Sequence, residues 1–352
     1  MARRIAVILF NLGGPDSPAA IQPFLQNLFS DPAILSVPGP LRWLLARLIS
    51  RRRAPVAREI YAELGGRSPL LPETEAQARA LEAELGELGE VKVFIAMRYW
   101  HPFAAETVAG VKGFSPDEIV LLPLYPQFST TTTASSLADW QRHAEKAGLE
   151  VPVHAVCCYP RQSDFVSAHM ETIAPVVEAA LAAGPARILF SAHGLPQKVV
   201  DGGDPYQWQV EQTAAAVTEA LQARLGRGAI DHVVCYQSRV GPLKWLEPST
   251  EAEIARAGEE GTAIIVVPIA FVSEHSETLV ELDIEYRRLA EAAGVPRYER
   301  VPALGVSAGF ISALGTLVRA ALAGGDLISE EGGRICPARF GKCPQAAGET
   351  SR

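Results

Sequence analysis

The sequence predicts an α/β protein made of two Rossmann-like domains, each a parallel sheet flanked by helices. Two observations carry that reading. Apolar, β-branched runs that suit buried strands alternate with longer stretches of helical period, the rhythm of βαβ units. The chain also has 352 residues, more than one hydrophobic core usually serves, so two cores are expected. The join is placed near Pro160. This predicts an N-terminal domain over 1–160, a second over 161–322 and a Cys-containing tail over 323–352.

The first element, Arg4 to Asn11, is a strand buried on both faces. Gly13, Gly14 and Pro15 turn the chain after it, and Pro18 to Ser30 reads as a helix. Leu41 to Ile49, followed by Arg51, Arg52 and Arg53, is a basic amphipathic helix. It suits an ordinary packing role or a lip on a membrane surface. Leu64 to Pro69 is a loop, and Glu73 to Gly86 is helical. Strands follow at Val91–Met97, Glu118–Leu124, Val151–Cys157, Ala186–Ser191, Asp231–Tyr236 and Ile264–Pro268, with a last at Glu299–Pro302. Helices fall between them at Phe103–Val111, Thr133–Ala147, Asp164–Ala183, Tyr206–Leu225 and Pro248–Ala257. Ser307–Leu322 closes the pattern, and the tail from Ala323 is rich in Gly and Pro and has little periodicity.

Composition excludes several classes. A hydrophobic content of 48% fits an ordinary globular protein, and a net charge of −8 argues against nucleic-acid binding. No apolar run reaches about 18 residues, the length a membrane span needs. The apolar N-terminal run is too short for a signal peptide and reads better as strand and turn. Five cysteines, an odd number in a long chain, do not make a disulfide framework, so a cytoplasmic protein is expected. No G-x-G-x-x-G follows the first strand and no G-x-x-x-x-G-K-[ST] occurs, so a nucleotide site is unsupported.

The chemistry concentrates at strand ends. After the strand at Ile264–Pro268 a helix is expected with Ser273 as N-cap. His275, Glu277, Glu281 and Glu285 lie on it, the glutamates spaced i, i+4, i+8, with Asp283 nearby. Like charges at that spacing oppose helix formation. They suit a metal or proton conduit, or a solvated face balanced by Arg287 and Arg288. His193, in Ser191-Ala192-His193-Gly194-Leu195-Pro196, directly follows another buried strand. An imidazole there suits proton transfer or metal contact, or is a hydrogen-bonded loop residue. Further strand-end clusters hold Arg98 and Tyr99, Tyr125 to Thr130, and Tyr236 to Arg239, with Trp245 after the last. Aromatics with a few Arg, Tyr and Ser groups suit a flat apolar ligand bearing carboxylates, and Arg239, Arg98, Ser68 and Tyr99 are candidate anchors.

Taken together, SAHGLP at 191–196, YQSRVGPLKWLEP at 236–248, VPIAFVSEHSETLVELDIEY at 267–286 and NLGGPD at 11–16 resemble the ferrochelatases. MRYWHP at 97–102 and YPQFSTTTTASSL at 125–137 extend the likeness, which runs from residue 5 to about 320. The resemblance implies insertion of Fe²⁺, a substrate here, into protoporphyrin IX, in a cleft between two Rossmann-like domains. It implies that His193 accepts pyrrole protons or contacts metal, with Glu277 opposite and Glu281 and Glu285 continuing an acidic row on a π-helix. Phe271 and His275 match neighbours of that site. Asn11, Leu12, Ser68, Arg98, Tyr99 and Trp245 match cleft-lining or propionate-contacting positions. The helix at 41–53 matches a lip that touches the membrane, which implies peripheral contact at its inner face; a monomer or homodimer is expected.

Some ferrochelatases also carry a [2Fe–2S] cluster, and Cys158, Cys336 and Cys343 are three candidate ligands. The tail offers only two cysteines and Thr130 stands where animal members have their internal ligand, so the set departs from the usual four thiolates. Three alternatives remain open: coproporphyrin III in place of protoporphyrin IX, cobalt in place of iron, and a protein that holds a porphyrin or haem without chemistry.

Overall fold

The computed structural model describes residues 3–346; the end of the tail, 347–352, lies outside the described residues. The chain forms two compact units. One reaches to Cys158 and takes back Leu314–Gly332; the other runs Tyr159–Ala313 and resumes at Gly333.

In the first unit, β1 (Arg4–Asn11) lies at the centre of a parallel sheet with β2 (Glu90–Met97) on one side and β3 (Glu118–Pro123) on the other. β4 (Val153–Cys158) continues the sheet, and β9 (Leu327–Ser329) closes it. The order is β2-β1-β3-β4-β9. Ile5 to Leu9 have no exposed surface, as expected of a strand covered on both faces. Three helices link β1 to β2: α1 (Ile21–Ser30), α2 (Gly39–Ala62) and α3 (Leu70–Glu84). α4 (Ala104–Phe114) and α5 (Thr133–Ala147) make the later crossovers. β9 falls in the stretch that periodicity leaves unassigned; three residues are too few to show an alternation.

In the second unit, α6 (Ser163–Ala183) precedes β5 (Ala186–His193), which is flanked by β6 (His232–Gln237) and β7 (Ala263–Pro268). β8 (Tyr298–Arg300) completes a parallel sheet in the order β6-β5-β7-β8. Between β5 and β6 come α7 (Gln197–Asp201) and α8 (Tyr206–Leu225), and between β6 and β7 comes α9 (Thr250–Glu260). Ser249 caps α9, its side chain accepting from the Ala252 N–H at 3.1 Å. A π-helix, Glu277–Glu285, follows β7 and passes directly into α10 (Tyr286–Ala292). The last helix, α11 (Ala308–Ala323), begins in this unit and from Leu314 belongs to the stretch that the first unit takes back.

In both sheets the chain leaves the first strand toward one side and then crosses to the other. The change of direction falls between β1 and β3, and between β5 and β7. An open α/β sheet offers a ligand crevice at the carboxyl ends of such strands. His193 is the last residue of β5, and the π-helix begins nine residues after β7 ends.

Candidate active site

The local sequence explains why the acidic helix is not an ordinary one. The π-helix starts at Glu277 with Ser276, not Ser273, at the N-cap position, and the Ser273 carbonyl accepts from His275 Nδ1 at 3.1 Å. Thr278 takes over the turn, its hydroxyl accepting from the His275 N–H at 3.0 Å and donating to the His275 carbonyl at 3.1 Å. π-helical turns are rare and concentrate at functional sites. Arg300, at the end of β8, ties this segment at two points. It donates to Asp283 within the π-helix at 2.9 Å and to Glu274, just before His275, at 2.5 Å. Glu274 also accepts from the Ala303 N–H at 2.9 Å.

On this frame His193 Nδ1 meets Glu277 Oε2 at 2.8 Å. The His193 side chain keeps 39% of its surface open and Glu277 24%. Nε2 of His193 has no hydrogen-bond partner among the described residues. Tyr206 fixes the backbone beneath, its hydroxyl donating to the His193 carbonyl at 3.1 Å. Gly194 must be small: a Cβ there would stand 2.9 Å from the Gln237 carbonyl oxygen and 3.2 Å from the Arg239 side chain.

Burial works against the charged form of His193, but the Glu277 carboxylate and its hydrogen bond, with Glu281 behind, hold the imidazole above its ordinary value. Burial likewise opposes ionisation of Glu277, yet the His193 charge and hydrogen bond bring it well below the usual carboxylate range. Glu281 moves the other way: burial first, then the Glu277 charge, raise it. Two carboxylates and an imidazole thus divide into an ionised pair and a carboxyl that retains its proton more readily.

Glu281 is held by groups that spacing did not single out. Its Oε1 accepts from the Ser238 N–H at 2.8 Å and from the Tyr286 hydroxyl at 3.1 Å. Its Oε2 accepts from Gln237 Nε2 at 3.0 Å. Gln237 has no exposed surface; it also donates to the Glu277 carbonyl at 3.1 Å and accepts from Ser191 Oγ at 2.8 Å. For Gln237 and Ser238 the only advance signal was their place at the end of a strand, beside Arg239. Glu285, the third member of the row, is exposed.

His275 is buried, its ring centroid 4.7 Å from that of Phe271. Burial above all pushes its pKa down, so it is a neutral neighbour of the pair. Trp245 pairs through its backbone with Pro196, and its Nε1 is buried with no partner among the described residues.

The remaining predicted residues gather in the first unit at the carboxyl ends of β1 and β2. The Arg98 N–H donates to the Asn11 carbonyl and the Tyr99 N–H to the Leu12 carbonyl, each at 2.9 Å. Asn11 Nδ2 donates to Thr74 at 3.0 Å. Gly14 packs so closely on Ser68 that a Cβ would come within 2.4 Å of its Oγ. Arg98 is engaged within the unit: it pairs with Asp31 at 2.8 Å and donates to Ser135 at 2.8 Å. The Tyr99 hydroxyl donates to the same Asp31 at 2.8 Å.

Among the described residues, no group of three or more His, Cys, Asp or Glu side chains is arranged to hold a metal ion. The carboxylates of Glu277 and Glu281 are engaged by His193, Ser238, Gln237 and Tyr286. The three candidate cluster ligands, Cys158, Cys336 and Cys343, are all buried. Cys158 Sγ lies 3.5 Å from Cys157 Sγ. Cys336 and Cys343 share a small buried apolar cluster with Phe340, and Gln209 donates to Cys336 Sγ at 3.2 Å. A hydrogen bond with Cys336, against the opposing effect of burial, brings Cys343 down to about 6. An iron–sulfur cluster ordinarily takes four protein ligands, and no step is assigned to one.

No helix among the described residues is long and apolar enough to cross a membrane. On α2, however, Leu41, Trp43, Leu44 and Leu48 are each 44–56% exposed.

The chain is similar to known proteins over its whole length. A family model described as Ferrochelatase matches residues 4–322. A ferrochelatase of Hyphomonas neptunium is 54% identical, covering 98% of this chain and 96% of its own. One of Phenylobacterium zucineum is also 54% identical, covering 99% and 100%. Among solved structures, the sirohydrochlorin chelatase SirB of Bacillus subtilis subspecies spizizenii, in complex with cobalt, aligns with a TM-score of 0.53. It has 10% identity and covers 91% of this chain and 95% of its own, a likeness of fold alone. With relatives about half identical from end to end, and with the His193–Glu277 pair set where this fold places its ligands, the chain belongs to the ferrochelatase family.

Proposed function

We propose that the enzyme inserts Fe²⁺ into protoporphyrin IX, with His193 as the acceptor of pyrrole protons. The observation that carries this reading is the 2.8 Å contact between His193 Nδ1 and Glu277. In neutral imidazole one nitrogen donates and the other accepts. With Nδ1–H given to Glu277, the free Nε2 is the accepting atom. A pyrrole N–H proton passes to Nε2, and the electron pair left on the pyrrole nitrogen binds the metal. The imidazolium formed is stabilised by the Glu277 carboxylate, the role of an orienting acid behind a histidine base. The partly open His193 side chain releases the first proton to solvent and accepts the second in turn, so two protons leave the porphyrin as one dication enters and charge balances.

The carboxylates suit brief contact with iron. Imidazole and carboxylate are adequate ligands for Fe²⁺, and here each is already hydrogen-bonded, which favours release of the metal over its retention. Asn11, Leu12, Ser68, Arg98, Tyr99, Trp245 and Phe271 are the proposed porphyrin contacts. The exposed apolar side chains of α2, with Arg47 and Arg51 to Arg53 on the same helix, support peripheral contact with an anionic membrane from the cytoplasmic side. They also favour the less carboxylated porphyrin.

The test is anaerobic mixing of the purified protein with Fe²⁺ and protoporphyrin IX, followed by loss of porphyrin fluorescence and formation of a haem–pyridine complex. Turnover supports the reading, and a parallel run with coproporphyrin III decides between the substrates. Porphyrin binding without turnover of either would sink it in favour of a carrier.

A further inference from the structure

β6 ends at Gln237, and the next residue, Ser238, has φ +60°. That is the left-handed region, strained for a residue with a Cβ and ordinarily given to glycine. Strained backbone held in place by its surroundings concentrates at functional sites. Here the strain turns both donors of one serine toward the acidic π-helix. The Ser238 N–H donates to Glu281 Oε1 at 2.8 Å. Its Oγ lies 2.5 Å from Glu281 Oε2 and 3.1 Å from Glu277 Oε2.

Proton counting shows what this contact does. A serine hydroxyl has one proton, so Oγ donates to one carboxylate at a time. Glu277 Oε2 already has a donor in His193 Nδ1. The short contact therefore assigns the hydroxyl proton to Glu281, and the same oxygen stands against Glu277. Two carboxylates four residues apart repel, and Ser238 is the side chain that touches both.

We propose that Ser238 is a positioning residue for metal insertion, its hydroxyl holding Glu281 against Glu277 at a fixed spacing beside His193. The proposal rests on the insertion reading above. It deepens that reading by adding a residue that touches no substrate itself and acts through the two carboxylates.

Ser238→Gly separates this role from a merely structural one. Glycine keeps the N–H to Glu281, relaxes the left-handed backbone and removes the hydroxyl together with its Cβ. If Ser238 only formed a turn, the glycine variant would match or exceed the wild type in both stability and turnover. The proposal expects kcat to fall about 10- to 100-fold, the range for residues that orient metal-site groups. The KM for Fe²⁺ should rise, and the Kd for protoporphyrin IX, read by fluorescence, should stay unchanged. Ser238→Ala should show the same loss while keeping a Cβ. Wild-type kcat and Fe²⁺ KM in both variants would overturn the role of Ser238 alone. Absence of insertion by the wild-type chain would overturn the insertion reading and this role together.

Discussion

His193 and Glu277 stand 84 positions apart in the chain and 2.8 Å apart in the fold. One is the last residue of β5 and the other the first of the π-helix. The pair is thus created by the sheet, whose adjacent strands bring their carboxyl ends together, and its properties follow from that pairing.

The first prediction concerns pH and stability. His193 is held above 6.5 and Glu277 below 4.5. The His193 contribution is complete below pH 6.5 and fades as pH rises through its raised pKa. The Glu277 contribution is complete above pH 4.5 and fades as pH falls through its lowered pKa. The stability advantage of wild type over Glu277→Gln should therefore be greatest between pH 4.5 and 6.5 and decline on both sides. Urea unfolding of both proteins across pH checks this; an advantage that grows steadily toward alkaline pH would contradict it.

Turnover should depend on the same pair. If His193 accepts the pyrrole protons as proposed, insertion needs it neutral, and the rate should rise with pH through the raised imidazole pKa. Glu277→Gln removes the charge that holds it up, so the acid limb of the profile should move to lower pH as kcat falls, by about 100-fold or more for loss of an orienting group. His193→Ala should abolish insertion while leaving porphyrin binding in place. Stopped-flow fluorescence across pH reads all three quantities.

Arg300 anchors the segment that carries the site. Its side chain is 9% exposed and serves both Glu274 and Asp283. Arg300→Met strands two partly buried carboxylates, and breaking such a network costs about 3 kcal/mol. Arg300→Lys restores charge without the two-pronged geometry and should recover only part of it. Urea midpoints of the two variants give the comparison.

Close packing at the end of β1 gives a reciprocal test. A Cβ on Gly14 would lie 2.4 Å from Ser68 Oγ and 2.5 Å from its Cβ. Gly14→Ala should destabilise by about 1–3 kcal/mol. Adding Ser68→Gly removes both clashing atoms and should recover most of that loss, visible as a returning Tm in calorimetry.

The exposed side chains of α2 yield a prediction with no stability cost. Serine at Leu41, Trp43 and Leu44 together should abolish co-flotation with phosphatidylglycerol vesicles. Because all three are exposed, each should alter folding by no more than about 0.5 kcal/mol. Unchanged flotation would remove the proposed membrane contact.

What could be read in the chain beforehand was whatever depends on local pattern. Ile5 to Leu9 and Ile264 to Pro268 are apolar throughout because both faces of a parallel strand are covered, so their character shows in a few residues. His193 and the glutamates stood out through their place after such strands. Ser238 and Gln237 did not, because their importance lies in what they donate to, and a donor's partner 39 to 44 positions away leaves no periodic trace. Arg300 was hidden for the same reason: it lies on a strand three residues long, with partners supplied by another element. The π-helix itself was named through family resemblance, since i, i+4, i+8 spacing fits an α-helix equally well.

That helix has a consequence for how the protein tolerates change in length. A π-helix closes its hydrogen bonds over one more residue than an α-helix does, so Glu277–Glu285 can be regarded as a helix with surplus chain. Removing one residue from its middle, at Val280 for example, would let the remainder wind into the commoner form and gain regularity. The same shortening would rotate Glu281 away from Ser238 and Gln237 and shift the register of Asp283 on Arg300. In this segment a gain in conformational comfort and the loss of the reactive arrangement are one event, and chain length there is under chemical control.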